Sequence, residues 1–245
     1  MTESDAPLLQ VVHLETGYGD LRVVRDVSLT VRGGQITVLL GRNGAGKTTT
    51  LRAISGLNKT AGGEVRYLGD KLGDAPAYRR VARGMAYVQE GKRVFRELTI
   101  EQNLVLGGFS TRVSKKKLIA AAQEIYEIFP ILGEKRALPA ASMSGGQQQM
   151  LAIGQALMAK PQLLILDEPS QGLAPVIVGE VMERVHALKA TGIGILLVEQ
   201  AVQDSVAIAD EVSVIEMGRT VLSGRAADIT LEDIQDAYFG AGAAV

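Results

Sequence analysis

Residues Gly41-Arg42-Asn43-Gly44-Ala45-Gly46-Lys47-Thr48 have the spacing G-x-x-x-x-G-K-[ST]. Glycines at those places let successive backbone N–H groups turn inward around phosphate oxygens, and a helix starting there adds the positive end of its dipole. Lys47 then reaches the β- and γ-phosphates and the Thr48 hydroxyl is a ligand for Mg2+; Thr49 continues the ATP-binding set. A plain glycine-rich turn would not need a buried strand before it and a helix after it. A second string, Leu163-Leu164-Ile165-Leu166-Asp167-Glu168, ends an apolar run in two carboxylates. Alone it reads as a strand meeting a turn. Downstream of a phosphate loop, Asp167 is expected to hold Mg2+ through a water and Glu168 to orient the water that attacks the γ-phosphate. A third, Ser144-Gly145-Gly146-Gln147, has the Ser and Gln spacing of a capping box, and its two glycines leave first-turn N–H groups bare for an anion.

The elements that must position these groups are legible in the pattern of apolar residues. Gln35 to Leu40 is a compact apolar run, as in a buried parallel strand, and a helix is expected from Gly46 to Ser55. Leu163 to Leu166 and Ile193 to Val198 repeat that run, while Val212 to Glu216 and Arg219 to Leu222 read as a hairpin around Met217-Gly218. Upstream, Leu8 to Leu14 and Arg22 to Val31 alternate like antiparallel, half-exposed strands. From Thr99 to Lys160 the period turns helical, most clearly over Lys115 to Phe129 and Gly146 to Lys160. The expected fold is α/β: a P-loop NTPase core on a mostly parallel sheet, an N-terminal antiparallel β subdomain, and a helical subdomain inserted at about residues 99–160. Residues 1–245 are expected to form one nucleotide-binding domain.

Composition narrows the function classes. With 47% hydrophobic and 22% charged residues the chain can bury a core, and a net charge of -1 gives no basic field for nucleic acid. The absence of Cys excludes disulfides and thiolate chemistry. Residues 1–7 lack the pattern of a secretory leader, and no apolar run is long enough to span a bilayer. Lys115-Lys116-Lys117 reads as a solvated helix face, with contact to an acidic membrane surface as the alternative.

Met143-Ser144-Gly145-Gly146-Gln147, between the phosphate loop and the Asp-Glu pair, resembles the L-S-G-G-Q signature of the ATP-binding cassette ATPases. The likeness covers nearly the whole chain, with the motifs in the family's order. It implies a head-to-tail pair of subunits in which each ATP lies between one P-loop and the other subunit's signature helix, so that Ser144 and Gly146, with Gly145 and Gln147 around them, would meet ATP held by the partner chain. It also implies that Tyr18, in Thr16-Gly17-Tyr18-Gly19, stacks on adenine; an ordinary hairpin tyrosine is the bland reading.

Three positions depart from the family pattern. Gln89-Glu90 stands where a Pro-Gln pair is usual, putting Glu90 in the register of the Q-loop glutamine; either Glu90 approaches the metal, or Gln89 serves after a one-residue shift. Gln200 replaces the switch histidine, which implies either slower hydrolysis or heavier reliance on Glu168; His13 and His186 read as surface or packing residues. In the D-loop, Ser170-Gln171-Gly172-Leu173 is followed by Ala174 where many relatives carry Asp. Together with Glu90 to Phe95, Leu98 to Leu104, Gly107 to Phe109, Gly172 to Pro175 and Val198 to Gln200, these resemble the ATPase subunits of branched-chain amino acid importers, with urea and amide importers close by. The resemblance implies ATP and Mg2+ as ligands and a second ATPase as partner, as a heterodimer or a homodimer. It further implies two permease chains docking near Glu90 to Phe109, an extracytoplasmic solute-binding protein met only indirectly, and a place on the cytoplasmic face of the membrane. A mechanical clamp on nucleic acid would need long coiled-coil insertions or a second cassette, and a small-molecule kinase would not use Ser144 to Gln147.

Overall fold

The computed structural model describes residues 6–239; the expectation placed on residues 1–5 lies outside them. The strands are β1 Leu9–Tyr18, β2 Leu21–Val31, β3 Ile36–Leu40, β4 Thr60–Tyr67, β5 Asp70–Lys71, β6 Met85–Val88, β7 Leu163–Asp167, β8 Gly194–Glu199, β9 Glu211–Glu216 and β10 Arg219–Arg225. The α-helices are α1 Lys47–Ile54, α2 Ala77–Ala82, α3 Ile100–Gly107, α4 Lys115–Ile128, α5 Pro130–Glu134, α6 Gly145–Leu157, α7 Pro175–Ala187, α8 Val202–Val206 and α9 Leu231–Phe239. One sheet runs in the order β5-β4-β1-β2-β10-β9-β3-β8-β7-β6. Its β9-β3-β8-β7-β6 part is parallel and its β5-β4-β1-β2 part antiparallel, joined through the short pairing of β10 with β2. The α/β class with a mostly parallel core and an antiparallel N-terminal part is therefore as expected.

The central strands are apolar throughout because both faces are covered. Ile36, Val38, Leu40, Leu164, Leu166, Ile195 and Leu197 face a core shared with α4, α6 and α7. Leu39, Leu163, Ile165, Leu196 and Val198 face the opposite core, shared with α1 and the β1-β2 hairpin. Alternate residues of one strand thus enter two cores, which hides the period of two in the sequence.

β4 was not foreseen. Gly62 and Gly63 interrupt its apolar pattern, but Gly63 has φ +69 and a Cβ there would lie 2.1 Å from the His13 carbonyl oxygen. His13 itself has φ 47, and the β1 register shifts between Val12 and Glu15. The glycine accommodates a bulge at which β1 crowds its neighbour. β10 likewise extends past the expected Leu222 to Arg225, after a register shift between Thr220 and Leu222. Between β6 and β7 run α3, α4, α5 and α6; α6 packs on α3 and α7.

Candidate functional site

Three parallel strands end at one place. β3 leads into the glycine-rich loop and α1, β7 ends at Asp167, and β8 ends at Glu199. β3 pairs with β8, and β8 with β7, so the loops after all three share the C-terminal edge of the sheet, where ligands gather in open α/β sheets. Gly46, at the N-cap of α1, has φ 109, a conformation that a side chain would resist.

A cavity of about 230 Å3 opens there, lined by Val23, Asn43, Gly44, Gly46, Lys47, Thr48, Thr49, Glu90, Glu168 and Gln171. Gly41 and Ala45 are buried beneath the loop, and Arg42 and Asn43 are exposed on it. Lys47 is buried; its Nζ donates to the Gly41 carbonyl at 2.8 Å and lies 3.2 Å from Glu168 Oε1. Gln200 Nε2 donates to both Glu168 oxygens, at 3.1 and 3.0 Å, and to Asn43 Oδ1. Gln171 Nε2 adds a bond to Glu168 Oε2 at 3.0 Å. Glu168 has φ 46, unusual for a residue with a side chain, and its backbone N–H is tied to the Val198 carbonyl at 2.9 Å. The charge of Glu168 is thus held by one cation and two amides, all from loops at this edge.

Asp167 accepts from Thr48 Oγ1 at 3.3 Å and from the Tyr87 hydroxyl at 2.7 Å. Burial raises its carboxyl above the ordinary range; the two hydrogen bonds oppose that rise. The hydroxyl of Thr48 and the carboxylates of Asp167 and Glu90 are hard oxygen donors, the kind Mg2+ takes. Among the described residues no group of three or more His, Cys, Asp or Glu could hold a metal ion by itself. That donor set fits a cation shared between protein and phosphate oxygens, as Mg2+ in nucleotide sites is.

The two candidates after β6 separate. Glu90 lines the P-loop cavity, while Gln89 lines a groove of about 300 Å3 with Tyr87, Arg93, Phe95, Leu106 and Gln155. Tyr18 stands at the end of β1, 47% exposed, with the Arg52 guanidinium 5.9 Å from its ring centroid, and is not among the residues lining the P-loop cavity.

Ser144, Gly145, Gly146 and Gln147 line no part of that cavity either. Ser144 caps α6: its Oγ accepts from Gln147 N–H at 3.3 Å, and Gln147 Oε1 accepts from Ser144 N–H at 3.2 Å. Gly146 has a steric reason the sequence does not disclose, because a Cβ there would come within 2.2 Å of Ile177 Cγ2 on α7. Ser170, Gln171, Gly172 and Leu173 form the turn after β7. Leu173 is packed on the core shared with α7, and its side chain lies close to Gly145.

Several contributors are absent from the sequence reading. Glu199 is buried and accepts from Ser170 N–H at 2.9 Å and Ser170 Oγ at 2.8 Å, fastening the start of the D-loop to the end of β8; burial raises its carboxyl. Tyr87 donates to Asp167. Arg80, on α2 and buried, donates to the carbonyls of Ala53 and Ile54 in the last turn of α1, and to Gly73 and Ala75. The signal available for Glu199 was a carboxylate ending an otherwise apolar strand; for Tyr87 and Arg80 there was none.

Comparison with known proteins places this geometry. Residues 24–171 match the ABC transporter family. The chain is 42% identical over 234 residues to the high-affinity branched-chain amino acid transport ATP-binding protein BraG of Pseudomonas aeruginosa, covering 95% of this chain and all of that protein (100%). It is 33% identical to the probable branched-chain amino acid transport ATP-binding protein LivF of Archaeoglobus fulgidus, over 91% of this chain and 94% of that one. The crystal structure of a nucleotide-free ATP-binding cassette from an ABC transporter superposes with a TM-score of 0.82 at 25% identity, over 95% of each chain. A match over more than half of the sequence, and relatives aligned almost end to end, establish that the chain belongs to the ABC transporter family as an ATP-binding subunit.

Proposed function

We propose that this chain is the ATP-hydrolysing subunit of an importer for branched-chain amino acids, working through separate permease chains. The observation that carries the chemistry is the convergence of Lys47, Gln171 and Gln200 on the Glu168 carboxylate beside the P-loop. The names of the relatives in Pseudomonas and Archaeoglobus support the choice of solute.

In this reading the backbone from Gly41 to Thr49 cradles the triphosphate, Lys47 moves from Glu168 to the β- and γ-phosphates, and Tyr18 stacks on the base. Thr48, Asp167 and Glu90 would hold Mg2+, which would neutralise charge on the phosphate oxygens. Glu168, released by Lys47, accepts a hydrogen bond from the attacking water and orients it; Gln200 donates to the γ-phosphate. Gln200 brings no charge and no transferable proton there, so positioning falls mainly to Glu168. Ser144, Gly145 and Gly146 serve the ATP of a facing ATPase subunit, a heterodimer partner being the reading favoured by Gln200. The region from residue 99 to 160 acts as a helical subdomain carrying this signature end.

The groove containing Gln89, with Phe95 58% exposed and Phe109 81% exposed nearby in sequence, suits helical projections of the permeases. Among the described residues no helix is long and apolar enough to cross a membrane. By likeness to the importer ATP-binding proteins, this chain is assigned a peripheral place on the cytoplasmic side, with the spanning part in separate permeases. The solute meets a binding protein and the permeases, never this subunit.

Co-expression with candidate permeases, a second ATPase and the solute-binding protein, reconstituted in vesicles, tests the assignment. Leucine, isoleucine or valine uptake that needs ATP and this chain is expected. Uptake of urea or amides alone would move the assignment to that group, and full hydrolysis by the isolated chain would overturn the pairing.

A further inference from the structure

Tyr87 belongs to none of the phosphate motifs, yet it makes the shortest hydrogen bond to Asp167. β6 and β7 pair in parallel with Tyr87 opposite Ile165, so Asp167 lies two residues further along β7 on the same face of the sheet. A long side chain spans that diagonal. The phenol donates to Asp167 Oδ2 at 2.7 Å, while Thr48 Oγ1 donates to Oδ1 at 3.3 Å. The two donors divide the carboxylate, one oxygen each. The terminal torsion of an Asp is broad and nearly two-fold, so an untethered carboxylate rotates readily, and a short O–H to carboxylate bond on one oxygen restrains it.

We propose that Tyr87 is a positioning residue for metal ligation: its hydroxyl holds Oδ2 of Asp167 so that Oδ1, on the Thr48 side, faces the cation. This rests on the nucleotide and Mg2+ reading given above.

The test uses the full chain and a fluorescent ATP analogue, with affinity measured in EDTA and across a Mg2+ titration. Tyr87→Phe should leave metal-free affinity within about twofold of wild type and raise the Mg2+ concentration for half-effect about tenfold, the weight of one hydrogen bond to a charged group. 4-Aminophenylalanine at position 87, which keeps an N–H donor in that place, should restore the wild-type Mg2+ dependence. If Tyr87→Phe does not fold, 4-methoxyphenylalanine, which keeps the oxygen without its proton, replaces it in the comparison. Tyr126→Phe is the control, because the Tyr126 hydroxyl is buried without a hydrogen-bond partner. An unchanged Mg2+ dependence in the variant overturns the proposal, as does an equal loss of metal-free and Mg2+-supported affinity. Failure of the wild-type chain to bind nucleotide under either condition would instead overturn the site reading on which the proposal stands.

Discussion

The P-loop edge and the signature end of α6 differ in how far each completes itself. At the P-loop edge, Lys47, Asn43, Glu168, Gln171 and Gln200 come from the three segments that follow β3, β7 and β8 and satisfy one another around the buried Lys47–Glu168 pair. At the signature end the bonds are local: Ser144 and Gln147 cap their own helix, and Ser144 and Gly145 are exposed. The first region is built by the fold of one chain. The second is a finished helix terminus presented outward, as the facing subunit proposed above would require.

Substitutions can break or sharpen that contrast. The largest effect is expected from Glu168→Gln, which keeps the hydrogen-bond acceptor near Lys47 but removes the base. Steady-state phosphate release should fall at least about 100-fold with ATP affinity retained; undiminished hydrolysis would remove Glu168 from its role. Ser144→Ala should act on the assembly instead. ATP binding by the isolated chain should be unchanged, hydrolysis by the paired assembly should fall about tenfold, and denaturant unfolding should show a loss of about 1 kcal/mol from the missing cap. Equal ATP-binding loss in the isolated chain would mean that the two regions are not separate.

The smallest effect concerns Glu199. Its carboxyl is raised in the fold, so the native state binds the proton more tightly than the unfolded chain does, and its contribution is fullest below the unfolded value and lost as pH rises through the folded one. Wild type should therefore gain stability relative to Glu199→Gln as the pH falls through the folded value toward the unfolded one, by at most about 1.4 kcal/mol per pH unit. Parallel stability curves for the two proteins across that range would show that the desolvated charge is not carried by this residue.

Legibility followed the range of the interactions. α1 spans Lys47–Ile54 against an expected Gly46 to Ser55, and α4 ends at Ile128 against Phe129, because periodicity acts within a few residues. The Ser144 capping box forms as its i and i+3 spacing dictates. β4 was hidden by two glycines, of which Gly63 is needed because of a bulge in another strand. Within the site, the residues around the P-loop were recognisable by spacing, whereas Glu199 and Tyr87 act on Ser170 and Asp167, distant in sequence.

The sequence by itself determined the phosphate loop, the carboxylate pair at the end of a buried strand and the capped helix, since each is specified by neighbours along the chain. Only the tertiary structure decided that Glu90 and not Gln89 lines the P-loop cavity, that Gly146 is required by Ile177, and that Tyr87 reaches Asp167. The physical reason is tertiary packing: which side chains meet between β6 and β7, or between α6 and α7, depends on how elements far apart in the chain align, and in the strands a shift of one residue would turn a side chain to the other face.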